Sequence, residues 1–237
     1  KAMSSWCRKY VERIRRPVAA AVFVVLLGAA GCADTGTPGP PGGIAVREGG
    51  APLAHAFVAD DDSRLPSGHG ADGRSGDIVL QNGCVRFVVG GADRPGGQAG
   101  LRGHLLDAVS KGERDRMRGL FAALGAGVRY GQVQIKSAGG RRSARVVASG
   151  HCAGRPNLRV RTNYRLGAGS RALKIKTRVK NAGGGCVQDL ALRDRLYPGR
   201  SVRYAEGVGL FPAGRTGGAD WVSFFGPDQA WGLYAAD

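Results

Sequence analysis

The short signatures of the commoner enzymes are missing from this chain. Its 237 residues hold no G-x-S-x-G elbow, no P-loop and no H-E-x-x-H, so serine hydrolysis, nucleotide cradling and zinc proteolysis have no recognisable machinery. No C-x-x-C or H-x-x-x-H spacing occurs among its 5 Cys and 4 His, and the adjacent His151 and Cys152 would point to opposite faces of a strand. No metal site and no cofactor site is assigned on these grounds. Long apolar runs are missing too: the longest is about 13 residues, too short for a spanning helix. Acid is scarce in the middle of the chain, where residues 116–188 carry 16 Lys and Arg and no Asp or Glu.

That segregation adds to a formal charge of +17. Part of it reflects a composition rich in Gly, Ala and Arg, but its concentration in one stretch implies a single-signed surface field. Aromatic side chains do not interleave with these cations as stacking platforms would, which speaks against nucleic acid as a partner.

The apolar stretch Val18 to Gly31 follows Arg8, Lys9, Arg13, Arg15 and Arg16 and precedes Cys32. A basic start, a short apolar core and small residues at a cleavage point describe an export signal. Ala29, Ala30 and Gly31 ahead of Cys32 resemble the lipobox of bacterial lipoproteins, which implies acylation of Cys32 and a stable membrane anchor through several acyl chains. Ala33 stands where an inner-membrane retention aspartate would lie, so the expected location is the outer membrane. Removal of residues 1–31 leaves 29 cations against 17 acids, a mature charge of +12.

Residues 32–51 are rich in Gly, Pro and Thr and read as a flexible tether, and residues 52–237 as the folded domain. Lys1 precedes the first methionine, Met3, and Asp237 directly follows an apolar run. These ends are compatible with a fragment as well as with a whole chain, and in a fragment a further domain of the same chain would lie downstream. Of the cysteines, Cys84, Cys152 and Cys186 remain after processing; export favours one disulfide and one buried thiol, with the pairing open. Asp60, Asp61 and Asp62 lack the alternating spacing and glycine turn of a calcium loop, and read as a solvated loop.

Strand signals dominate the domain. Residues 77–81 and 84–89 flank Asn82-Gly83, a pair suited to a type I′ hairpin. Within Gly112 to Leu124, the three- and four-residue spacing of Met117, Leu120, Phe121 and Leu124 predicts one short amphipathic helix. Short apolar runs then recur between Gly-rich turns. The expected fold is an all-β antiparallel sandwich.

Two strands carry the clearest functional pattern. Leu158, Val160, Thr162, Tyr164 and Leu166 alternate with Arg159, Arg161, Asn163 and Arg165; Leu173, Ile175, Thr177 and Val179 alternate with Lys174, Lys176, Arg178 and Lys180. One face therefore collects Arg159, Arg161, Arg165, Lys174, Lys176, Arg178 and Lys180, a docking face for an acidic glycan, lipopolysaccharide or lipid headgroups. The intervening Gly167-Ala168-Gly169-Ser170-Arg171-Ala172 matches G-x-G-x-x-A, but a strand follows it where a dinucleotide site needs a helix, so its glycines are turn residues. Trp221, Phe224, Phe225, Trp231 and Tyr234 crowd the end of the chain; Trp221 and Trp231 are the candidates for stacking on sugar rings.

The segments GDIVLQNGCVRFVV, GHLLDAV, TNYRLGAGSRALKIKTRVKN and LRDRLYPG together resemble the amino-terminal β-sandwich of exported myxobacteria-like lipoproteins whose larger members carry a CehA/McbA, PHP-like metallohydrolase domain. The resemblance implies a mutarotase-like supersandwich, a form of sandwich associated with carbohydrate-active enzymes. It transfers no catalytic residue, because the His and Asp ligand clusters of the PHP domain have no counterpart here. The expected function is an envelope-anchored binding or accessory module. The alternatives are a glycan-processing enzyme, whose acid and base would be drawn from Asp189, Asp194 and His151, and the amino-terminal part of a larger metallohydrolase.

Overall fold

The computed structural model describes residues 22–28, 53–94, 96–112, 114–115, 117–124, 126–185, 187, 190, 192–197, 202–205, 209–211, 221–225 and 230–236. Among these the chain forms strands and two short 3-10 turns, with no longer helix. The strands are β1 (Val22–Gly28), β2 (Ala54–Val58), β3 (Ile78–Gln81), β4 (Val85–Val89), β5 (Leu105–Ser110), β6 (Leu120–Leu124), β7 (Ala126–Ser137) and β8 (Gly139–Gly140). They continue as β9 (Ser143–Cys152), β10 (Arg155–Gly167), β11 (Ala172–Asn181), β12 (Leu192–Leu196), β13 (Val202–Ala205), β14 (Gly209–Phe211), β15 (Trp221–Phe225) and β16 (Ala230–Ala236).

All pairings are antiparallel, as the expected sandwich requires. A large sheet runs β14-β13-β15-β16-β1-β11-β10-β9-β7, and a small one runs β6-β5-β4-β3-β2-β8 with β12 on the other side of β6. The turn from β6 to β7 joins them. Alternation places one face of each sheet in a shared core: Ile78, Leu80, Phe87 and Leu105 from the small sheet meet Val146, Leu158, Val160, Leu166 and Leu173 from the large one. A second cluster of Ala59, Leu65, Val79 and Val88 lies on the other face of the small sheet.

The loop over that second cluster is fixed by buried polar groups. Arg94 donates from Nε and Nη2 to Asp77 at 2.8 and 2.5 Å, and both residues are buried. Asp107 accepts the backbone N–H groups of Asp72 and Gly73 at 2.8 and 2.9 Å. Asp61 caps a single turn through Ser63, and Asp60 pairs with Arg64, so the acidic run serves local structure. No group of His, Cys, Asp or Glu among the described residues could hold a metal ion.

The expected helix is corrected. Leu120–Leu124 is a strand, paired with Leu192–Leu196, and Gly119 ahead of it sits at φ +116°, outside helical geometry. Leu120 and Leu124 face the core, and Met117 is fully buried without a helix to present it. The Asn82 turn is also corrected: the last pair is Gln81 with Arg86, and Gly83 lacks the left-handed φ of a type I′ turn. Asn82 Oδ1 instead accepts the N–H groups of Cys84 and Val85, while its Nδ2 donates to the carbonyls of Gly167 and Ser170. One asparagine thereby ties the β3–β4 turn to the β10–β11 turn.

The apolar segment read as the core of an export signal supplies β1, whose backbone pairs with β11 on one side and β16 on the other. Signal and strand are alternative uses of the same residues. Removal of residues 1–31 would leave β11 and β16 without their shared neighbour. Cys32 and the tether lie outside the described residues. Cys84 is disulfide-bonded, and Cys152 is a free buried thiol. Among the described residues no helix is long and apolar enough to cross a membrane.

Candidate anion-binding face

Strands β10 and β11 run as one long hairpin. Its turn is closed by the Ser170 N–H donating to the Gly167 carbonyl at 3.2 Å, with Gly169 at φ +72°, so the G-x-G-x-x-A stretch is a hairpin turn as its setting indicated. Along β10 the core takes Leu158, Val160, Thr162, Tyr164 and Leu166, and Arg159, Arg161 and Arg165 are exposed. Along β11 Lys174, Arg178 and Lys180 are exposed and Lys176 is half-buried.

The register brings all seven predicted cations onto the outer face. Arg159 opposes Lys180, Arg161 opposes Arg178, Asn163 opposes Lys176, and Arg165 opposes Lys174. Directly opposed side chains have Cβ atoms about 5 Å apart, and like charges there repel. None of the seven pairs with a carboxylate: the described ion pairs are Arg64–Asp60 and Arg94–Asp77, both elsewhere. Neutral groups supply what local contacts exist, Arg165 Nε donating to Ser143 Oγ at 3.1 Å.

The field extends beyond the hairpin. Arg145 on β9 is the partner of Arg165, and His151 is the partner of both Arg159 and Arg129. Arg129 and Arg145 are exposed and belong to the same face; strand spacing alone could not assign Arg129, because β7 carries a bulge between Tyr130 and Gln132. Arg145 Nη2 donates to Asn163 Oδ1 at 2.7 Å, which holds its guanidinium over the middle of the patch.

Beneath this face lies a buried polar cluster. Tyr130 Oη and Thr162 Oγ1 are 2.6 Å apart, Thr162 Oγ1 and Thr177 Oγ1 2.9 Å, and Tyr164 Oη donates to the Gly103 carbonyl at 2.7 Å. Burial pushes both phenols above the usual tyrosine range, and the charge of Asp194 adds to the rise. Asp194 itself, on β12, is pushed up to about 7 by burial. His104, which no sequence signal marked, packs against Phe121 and Tyr130 with ring centroids 4.9 and 5.0 Å away. Burial lowers it to about 4, against the opposing effect of its hydrogen bond to the Val128 carbonyl. The imidazole is therefore neutral at pH 7.

The catalytic candidates do not converge. His151 lies outward beside Arg129 and Arg159, whereas Asp194 is turned toward the phenols of the core; Asp189 lies outside the described residues. The sugar-stacking pair is corrected as well. Trp231 is 2% exposed and stacks on Phe224 with centroids 4.2 Å apart, so no ligand can reach its face. Trp221 remains accessible on the outer side. No protein-family model, curated protein or solved structure matches this chain.

Proposed function

We propose that this chain is a binding module whose outer sheet face docks on fixed anionic groups of a glycan or of lipid headgroups. The observation that carries the reading is the set of opposed cations on β10 and β11 with no carboxylate among their described neighbours. A fold gains nothing from placing like charges opposite one another. Polyanion binding turns the same arrangement into attraction, since phosphates or carboxylates set among the side chains relieve the repulsion and release counterions.

The reading includes an accessory role to a further domain, and assigns no turnover to these residues. Its test is charge reversal. Arg161→Glu, Arg165→Glu and Lys174→Glu together should abolish retention of the full chain on immobilised lipopolysaccharide and on an acidic polysaccharide at low salt. Retention equal to the unaltered protein would reject the face as the docking site.

A further inference from the structure

The cationic face does not end at β11. The register carries one transverse row across seven strands of the large sheet: Trp221, Tyr234, Val24, Lys174, Arg165, Arg145 and Ser137, each the partner of the next. Trp221 and Lys174 therefore belong to one face, three strand spacings or about 14 Å apart. On the same side, Tyr204 on β13 is the partner of Ser223 and stacks on Trp221 with centroids 5.4 Å apart and planes at 27°. Phe225, two residues beyond Ser223, shares that side. Exposures are 36% for Tyr204, 38% for Trp221 and 46% for Phe225, while the alternate residues Phe224 and Trp231 are buried.

Packing does not account for three large rings on the outside of a sheet whose inner face already holds Phe224 and Trp231. An exposed aromatic patch adjoining a cationic field describes a surface that meets anions and apolar matter together. We propose that the outer face of the large sheet docks on an anionic lipid bilayer, with the cations of β9 to β11 at the phosphates and Tyr204, Trp221 and Phe225 in the interfacial layer beside them. Trp and Tyr partition to that layer because their rings are apolar at one end and polar at the other, and basic residues are drawn to the negative leaflet within a Debye length. The charge field alone fits any polyanion; the aromatic end selects the bilayer. A soluble acidic chain would satisfy the cations and leave Phe225, which has no polar atom, in water. Tyr204 and Trp221 also use one ring face each on the other, which suits insertion of an edge better than stacking on a pyranose.

The inference rests on the anion-binding reading above and names its partner, so the experiment separates the two. The full chain is mixed with vesicles of phosphatidylcholine alone, and of phosphatidylcholine with roughly one-third phosphatidylglycerol, each containing acyl-brominated lipid as a tryptophan quencher; dextran sulfate is the soluble arm. Expected are quenching on the anionic vesicles alone, loss of most of that quenching in Trp221→Phe, and partition about fivefold weaker for each cation removed from β10 or β11. Binding to anionic vesicles that depends on Arg161 and Arg178 but gives no Trp221-dependent quenching would overturn the bilayer proposal and leave the anion-binding face standing, as would binding to dextran sulfate alone. Equal binding to both vesicle types, or binding unchanged by Arg161→Glu with Arg178→Glu, would overturn both.

Discussion

Arg161 and Arg178 are direct partners across β10 and β11, two exposed cations opposed in a sheet with no carboxylate beside them. Stability and binding should therefore respond to them with opposite signs. Arg178→Glu replaces repulsion by attraction and should raise the unfolding free energy at low salt by some tenths to about 1 kcal/mol. The gain should shrink at high salt. Urea denaturation at two ionic strengths checks this, and retention on a polyanion matrix should fall in the same variant.

The buried pair Arg94–Asp77 should behave in the contrary way. Removing the guanidinium by Arg94→Ala leaves the Asp77 carboxylate enclosed without its bidentate partner, a change that costs about 3–5 kcal/mol. Chemical denaturation measures the loss. A variant as stable as the parent would mean that water reaches Asp77.

Asp194 makes stability depend on pH near neutrality. Its carboxyl is raised by burial from 3.8 to about 7, so the folded state holds a proton that the unfolded state has already released. Its favourable contribution is complete below about pH 4, and it is lost as pH rises toward and through 7. Each unit of such a shift corresponds to about 1.4 kcal/mol. Asp194→Asn keeps the shape without the charge and should flatten this fall, stabilising the protein at pH 8 and changing it little at pH 4. Melting temperatures across that range report it.

Much of this architecture was legible in the residues because strands with one dry face declare themselves. Leu158 to Leu166 and Leu173 to Val179 alternate without a break, and both the hairpin and its charged side followed from that. The segment around Leu120 did not declare itself, because Leu120 and Leu124 share a face in a helix and in a strand alike; Gly119 at φ +116° and the partner strand Leu192–Leu196 decide between them. Trp221 and Trp231 looked alike until the register of β15 with β16 put one outside and one inside. His104 carries no motif. Its position depends on Tyr130 and Phe121, which come from strands distant in sequence.

Strand β1 gives a prediction about processing. In the full chain, amides of β11 that face β1 should be protected from hydrogen exchange, since residues Val22 to Leu26 pair with Ala172 to Lys176. A chain beginning at residue 32 should lose that protection while β10, covered by β9 and β11, retains its own. Equal protection in both forms would show that another strand takes the place of β1.

The central claim is that the β10–β11 cations bind fixed anions, and the salt dependence of retention on lipopolysaccharide tests it most directly. The account predicts that the full chain elutes at progressively lower salt as Arg161, Arg165 and Lys174 are changed one after another to Glu, while circular dichroism stays unchanged. Elution of the triple variant together with the unaltered protein would contradict it.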